Sequence, residues 1–457
     1  MSDVEALMWN LEKDPHLSAT FANVTLFDRP LDLDRLRRRM ERAALLVPRL
    51  RQRVVPAFGR LAPPLWADDP DFDIDFHVRR VALPAPGSLR QLLDLATVVA
   101  NDGFDRTRPL WSFVVFDGLA GGRSAMLQKM HHTITDGEGG VRMSEQFIDL
   151  AADDPEPPMP DGLPIGRGVG DRAGLVANAT DALAHGLRRQ VGVTRRAVGE
   201  LGRLARQPER AMALGAEAAR TVPSVLRQLV VADRARSPLW TERSLRRHFS
   251  ILSVGFDEAK RASKALGGSI NDIFVTGVAG GAGAYHRSLG TPVDELRISM
   301  PVSTRTDRSA GGNAFAPARV LVPTGADPVA RFAETRSRLD RVKREPALSM
   351  AGALACAANL LPTSALVRMT RRQVETVDFA ASNVRGAPFA LYIAGARMEA
   401  NHPMGPLGGT AFNLTTMSYD GRLDMGLNTD TGAVTEPDLL HRCIEEAFAE
   451  LLAAAEG

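Results

Sequence analysis

Met126–Leu150 reads MLQKMHHTITDGEGGVRMSEQFIDL, with His131-His132-Thr133-Ile134-Thr135-Asp136-Gly137 at its centre. Upstream, Trp111–Phe116 and Ala125–Met130 have strand composition, and the turn Asp117-Gly118-Leu119-Ala120-Gly121-Gly122 separates them. Downstream, Val141, Met143, Phe147, Ile148 and Leu150 recur at roughly helical spacing. The paired histidines therefore sit where a strand ends and a turn holding Gly137, Gly139 and Gly140 begins. Neighbours on a strand point to opposite faces, so one histidine can face a cavity while the other packs behind it. A bare pair of histidines reads first as strand packing. The strand end raises it to a candidate site, because the sheet fixes the side chain and the loop exposes it.

A chain of 457 residues is too long for one ordinary core, so two domains are expected. With 44% hydrophobic and 24% charged residues the composition is that of a globular protein, not a disordered or spanning one. A formal charge of +2 argues against a nucleic-acid polyanion as main partner. Cys356 and Cys443 form no CxxC and no framework, which favours a reduced, cytosolic setting. The start MSDVEALMWNLEKDPH is acidic and mixed, so no signal peptide is expected. No apolar run approaches the ~20 residues that a spanning helix needs, so any membrane contact would be peripheral. Nothing reads as a metal cluster or a glycine-rich phosphate loop.

Residues 1–160 begin with a strand over Ser18–Phe27, a helix over Leu31–Leu46 flanked by Arg35, Arg37, Arg38 and Arg39, and a short strand at Arg51–Val55. Asp71–Arg80 alternates Phe72, Ile74, Phe76 and Val78 and predicts a strand with one buried face. His77 there reads as a satisfied histidine at a strand end. Pro109-Leu110-Trp111 opens the strand leading toward the histidines: Pro fixes the entry and Trp buries a large surface. The tripeptide recurs at Pro238-Leu239-Trp240, so alone it is a weak signal. Residues 161–247 change character. From Ile165 to Arg247 there are 16 Arg and no Lys against 7 acidic residues, an excess of nine positive charges. Val176, Leu183, Leu187, Val191, Val198 and Leu201 predict a basic amphipathic helix, and Ala211–Asp233 a second piece interrupted at Pro223. This connector reads either as a packed bridge or as a surface that also docks on anionic membrane.

Residues 248–457 restart an α/β pattern. A strand is expected at Phe249–Phe256, a helix at Asp257–Leu266, and a small-residue-rich helix at Ser269–Tyr285. Further strands are expected at Leu296–Val302, Asp378–Val384 and Ala390–Ala396, and a closing helix at Glu436–Ala455. Asn271-Asp272 reads as a helix N-cap cluster, which is also a ready oxyanion site.

His131-His132-x-x-x-Asp136-Gly137 resembles the signature of the acyl-CoA-dependent acyltransferase superfamily. Pro109-Leu110-Trp111, Asn271-Asp272, Ser382–Pro388, Leu391–Ala396, Gly405-Pro406-Leu407 and Asn413–Leu423 narrow the resemblance to the bacterial wax ester synthase/diacylglycerol acyltransferase family. In Ser382-Asn383-Val384-Arg385-Gly386-Ala387-Pro388, Arg385 replaces a proline of the family's stretch and Ala387 is inserted. The resemblance implies an α/β fold of two chloramphenicol-acetyltransferase-like domains with mixed sheets, joined by the helical connector, with the active site in a tunnel at their interface. It implies transfer of a long-chain acyl group from a CoA thioester to a fatty alcohol or diacylglycerol, without a cofactor or metal. His132 would be the base, His131 its support, and Asn271 an oxyanion donor or substrate guide. Asp136 would turn away to pair with Arg305, and Gly137 would permit the tight backbone between. Pro109, Leu110, Trp111, Asp272, Ser382 and Asn383 would contact substrate. The enzyme would be cytoplasmic and peripheral to a membrane or lipid droplet. Two rivals are an acyltransferase acting on a polyketide or glycolipid hydroxyl, and a non-catalytic lipid-surface protein of the same fold.

Overall fold

A computed structural model describes residues 1–56, 63–135, 137–160, 235–303, 315–343, 358–359 and 362–455. The first half runs α1 (Asp3–Leu11), β1 (Thr20–Phe27), α2 (Leu33–Leu46), β2 (Gln52–Val55), β3 (Leu65–Asp68), α3 (Ile74–His77), β4 (Val78–Ala82), α4 (Leu89–Asn101), β5 (Trp111–Leu119), β6 (Arg123–His131) and α5 (Gly137–Ser144). The second runs β7 (Arg247–Gly255), α6 (Phe256–Ala265), α7 (Ile270–Ser288), β8 (Glu295–Ser303), β9 (Phe315–Pro323), α8 (Pro328–Lys343), α9 (Thr363–Val374), β10 (Phe379–Arg385), β11 (Tyr392–Ile393), β12 (Ala396–Met404), β13 (Phe412–Tyr419), β14 (Arg422–Asp430) and α10 (Pro437–Ala454). The connector expected over 161–247 falls mostly outside the described residues, which resume at 235.

The strands form two six-stranded sheets, ordered β11-β12-β1-β6-β5-β4 and β7-β14-β13-β10-β8-β9. Both are mixed, as expected. β4 runs parallel to β5 in the first, and β10 runs parallel to β13 and β8 in the second. β6 lies inside the first sheet between β1 and β5. Its alternate residues feed two cores: Met126 and Met130 pack with Phe113 and Phe147, whereas Ala125 and Leu127 pack with Val24 and Leu92. In the second half α7 lies against α10. The small residues of α7 permit that approach: a Cβ on Gly281 would stand 2.5 Å from Ile444 Cα.

Three local expectations change. Asp71–Arg80 is not one strand, because Asp73 accepts from Asp75 N (3.0 Å) and starts the short helix α3. His77 closes α3 and only Val78–Ala82 is extended. Ala390–Ala396 is a hairpin, not a strand: Tyr392–Ile393 ends at Ala394 and Gly395, both with positive φ (47° and 84°), before β12 begins. The helix after the histidines is short, Gly137–Ser144, and the chain then turns so that Phe147 is buried. Residues 248–457 were expected to stay together, yet β11 and β12 add to the first sheet beside β1.

Candidate active site

A cavity of about 1140 Å³ opens between the sheets. From the first sheet Phe21, Gln128, Met130 and His132 line it, and from the second Ser382, Asn383, Thr415 and Met417. Gln128 and Met130 near the end of β6 face this space, so the alternation brings His132 to it and turns His131 away.

The two histidines are held differently. At His131, the Thr133 N–H donates to Nδ1 (3.1 Å) and Thr133 Oγ1 lies 2.8 Å from the same nitrogen. Nδ1 is therefore an acceptor, and the proton resides on Nε2, which donates to Glu12 Oε2 (3.1 Å). The ring is 2% exposed and meets Trp9 edge-on at 6.5 Å. Both ring nitrogens of His131 are thus engaged within the protein. The His132 backbone N–H donates to Ala19 O (3.1 Å), and the ring stands 4.5 Å from Phe21. Its Nδ1 lies 3.3 Å from Thr135 O, which can only accept, so Nδ1 carries the proton and Nε2 is the basic nitrogen.

Glu12 carried no local signal, yet it ties this corner together. Beyond His131 it accepts from Ser18 Oγ (2.7 Å) and Ala19 N (2.7 Å). Burial alone would raise its pKa; the hydrogen bonds from His131, Ser18 and Ala19 outweigh that and hold the carboxyl below its ordinary value. It joins the base of β1 to the end of β6, although 119 residues separate Glu12 from His131.

The second half brings amides to the same cavity. Asn271 lies in the first turn of α7, after Ser269, and Asn383 Nδ2 donates to Asn271 Oδ1 at 3.4 Å. In that orientation the Asn271 Nδ2 hydrogens remain as donors. Asp272 is placed otherwise than expected. It is 3% exposed, absent from the cavity wall, and its Oδ2 accepts from Ser269 N (2.8 Å) and Oγ (2.7 Å) in a capping box. Pro109, Leu110 and Trp111 do not line the large cavity either. Trp111 is fully buried, donates from Nε1 to Leu50 O (2.7 Å), and stacks on His77 at 4.5 Å. His77, expected as a satisfied histidine, is only half so: its Nδ1 donates to Trp111 O (2.8 Å) but its buried Nε2 has no hydrogen-bond partner, and burial lowers its pKa to about 4. Gly137 opens α5. Asp136 and Arg305, and with them their expected pairing, lie outside the described residues. Also among those residues, no group of three or more His, Cys, Asp or Glu could hold a metal ion, and no helix is long and apolar enough to cross a membrane.

Comparison with known proteins follows the same lines. Residues 1–274 match the model of the wax ester synthase/diacylglycerol acyltransferase catalytic domain, and residues 311–452 that of the WS/DGAT C-terminal domain. A Mycobacterium tuberculosis H37Rv protein named as a diacylglycerol O-acyltransferase is 34% identical over all of this chain and 92% of its own length. A second from the same strain is 30% identical over all of this chain and 98% of its own. Among solved structures, the wax ester synthase/diacylglycerol acyltransferase of Marinobacter aquaeolei VT8 shares the fold at a TM-score of 0.66 and 20% identity, covering 99% of both chains. The first condensation domain of the calcium-dependent antibiotic synthetase shares it at 0.58 and 16%, covering 99% of this chain and 96% of its own. By these matches, together with the two mixed sheets that enclose a histidine-bearing cavity, the chain belongs to the wax ester synthase/diacylglycerol acyltransferase family and is an O-acyltransferase of it.

Proposed function

We propose that this enzyme transfers a long-chain acyl group from a CoA thioester to the hydroxyl of a fatty alcohol or a diacylglycerol, with His132 as general base. The observation that carries this reading is the His132 ring in a largely apolar cavity of about 1140 Å³, with Nδ1–H bonded to Thr135 O. The hydroxyl oxygen attacks the thioester carbonyl carbon while its proton passes to His132 Nε2. The Asn271 amide donates to the oxyanion that forms, a role worth roughly 10²–10³ in rate for such donors. The intermediate collapses, the carbon–sulfur bond breaks, and the proton returns from Nε2 to the departing sulfur. The products are an ester and free CoA thiol. No covalent enzyme intermediate is needed when both substrates share the cavity. Ser382 and Asn383 guide the acceptor. The test is thiol release from one acyl-CoA against hexadecanol, a diacylglycerol and a polar specialised alcohol. Turnover with the first two and a loss of roughly 10²–10⁴ in His132→Ala at unchanged melting temperature are expected. Activity confined to the polar alcohol would reassign the acceptor.

The enzyme works at a lipid surface in this reading, because its substrates are nearly insoluble. The support is the arginine excess of nine over Ile165–Arg247 with apolar residues at helical spacing. Sedimentation with anionic liposomes at low salt and release at high salt are expected, since screening shortens to a Debye length of ~3 Å at 1 M. No sedimentation at low salt would leave the stretch a bridge between domains.

A further inference from the structure

A second cavity of about 290 Å³ lies behind the histidines, on the side that His131 faces. Ser18, Pro406, Leu407 and Gly408 line both cavities, so the two abut at the corner before β1 and at the loop between β12 and β13. Their walls differ in kind. Phe21, Met130, Phe147, Met398 and Met417 make the large one a home for hydrocarbon. The small one presents Glu12, His16, Asp102, Arg106, Arg247 and Asn428.

The charges in the small cavity are not equally committed. Glu12 is spent on His131, Ser18 and Ala19. The buried Lys129 ammonium sits beneath Asp102, 2.5 Å from its carbonyl oxygen. Arg247 is bonded to the carbonyls of Ser244 and Arg246 and stands 3.5 Å from the Asp430 carboxylate. Of the two arginines in its wall, Arg106 has no carboxylate within ion-pairing distance among the described residues; its guanidinium lies 4.2 Å over the Trp9 ring. Stacking fixes the plane of the guanidinium and leaves its edge donors to an oxyanion from outside.

We infer that the small cavity is the donor's portal, and that Arg106, held flat on Trp9, receives the phosphate end of the acyl-CoA. This rests on the acyl-CoA reading above. With the thioester beside His132, the acyl tail goes to the apolar cavity. The amide-rich arm and phosphates must then leave by a route that offers polar partners and a cation. The small cavity, which abuts the large one at Ser18 and Pro406–Gly408, offers both. The acceptor then shares the large cavity with the acyl tail, and donor and acceptor do not compete for one mouth.

The test compares two donors with the same thioester, decanoyl-CoA and decanoyl-N-acetylcysteamine, which lacks the phosphates. Arg106→Glu should raise the KM for decanoyl-CoA on the order of ten-fold or more, with kcat little changed, since a charge-assisted contact to phosphate is lost and a repulsion added. The KM for the truncated donor should stay put, and raising salt to 1 M should shrink the difference between wild type and variant. Arg106→Lys should keep most of the affinity, and Arg106→Ala serves if the glutamate variant fails to fold: it should raise the KM for decanoyl-CoA and leave that for the truncated donor in place. An equal rise for both donors, in any of these variants, would make Arg106 a mere brace for Trp9 and overturn the inference. A folded Arg106→Glu with unchanged KM for decanoyl-CoA would do the same. A wild type that releases no thiol from either donor with any alcohol would instead sink the acyltransfer reading, whatever Arg106 does.

Discussion

At His131 both ring nitrogens have partners, and the Glu12 carboxylate is the one that fixes the proton on Nε2. Glutamine in its place would keep its carbonyl oxygen on His131 and Ala19, which share Oε2, and turn its N–H₂ to the Ser18 hydroxyl, which can accept. What is lost is the charge: hydrogen bonds to a charged group contribute about 1.5–3 kcal/mol against about 0.5–1.5 kcal/mol for neutral pairs. Glu12→Gln should therefore lower the melting temperature and disturb the corner that carries His132, since Ala19 receives the His132 N–H. The pH dependence gives a sharper reading. The native carboxyl is held below its ordinary value of 4.5, so its contribution is complete above that value and fades as the pH falls through the native pKa. The gap in melting temperature between wild type and Glu12→Gln should be widest above about pH 5 and narrow in acid. A gap that does not change with pH would show that the carboxylate charge contributes nothing there.

Among the elements, what was legible in the sequence was local. The period-two alternation of β6 placed one histidine toward a cavity and the other behind it, and the structure follows that alternation through Met126, Gln128, Met130 and His132. The N-cap cluster read at Asn271-Asp272 announced the start of α7; in the structure the cap is Ser269 in a box with Asp272, which is why Asp272 is absent from the cavity wall. Pro-Leu-Trp misled in part, because a buried tryptophan and a substrate-contacting one look alike in sequence. Both copies bury the ring beside a histidine: Trp111 on His77 and Trp240 beside His286, each at 4.5 Å. Only the first copy enters a strand, since Trp111 opens β5 whereas Trp240 stands in irregular chain ahead of β7. Phe72, Ile74, Phe76 and Val78 alternate as a strand would, but Asp73 caps a helical turn that the alternation cannot see. Glu12 and Arg106 were invisible for a different reason. Their meaning lies in partners brought near by folding, His131 for one and the Trp9 ring for the other.

At the scale of the whole molecule the two sheets are not independent, because the second half lends β12 to the first. β12 pairs with β1 from Ala22↔Met404 to Phe27↔Met398 and carries β11 at the sheet's edge. The junction is stitched from the other side as well. Tyr419 Oη donates to Met398 O (3.0 Å), Asn401 N donates to Asp424 Oδ2 (2.8 Å), and a Cβ on Gly426 would stand 2.0 Å from Pro403 O. Without residues 392–404, β1 would become an edge strand with unpaired N–H and C=O groups beside the apolar side chains of Val24 and Leu26, a template for aggregation. The cavity would also lose a wall, since Met398, Asn401 and Met404 line it. Residues 1–160 expressed alone should then be aggregated or molten, without a cooperative melt. Co-expressed with residues 235–457, they should associate into a complex that melts cooperatively and releases thiol from acyl-CoA, because the strand exchange needs no covalent link between the halves. A cooperative, monomeric melt of 1–160 by itself would show that β12 decorates a finished sheet; the arrangement of β1 predicts that it completes one.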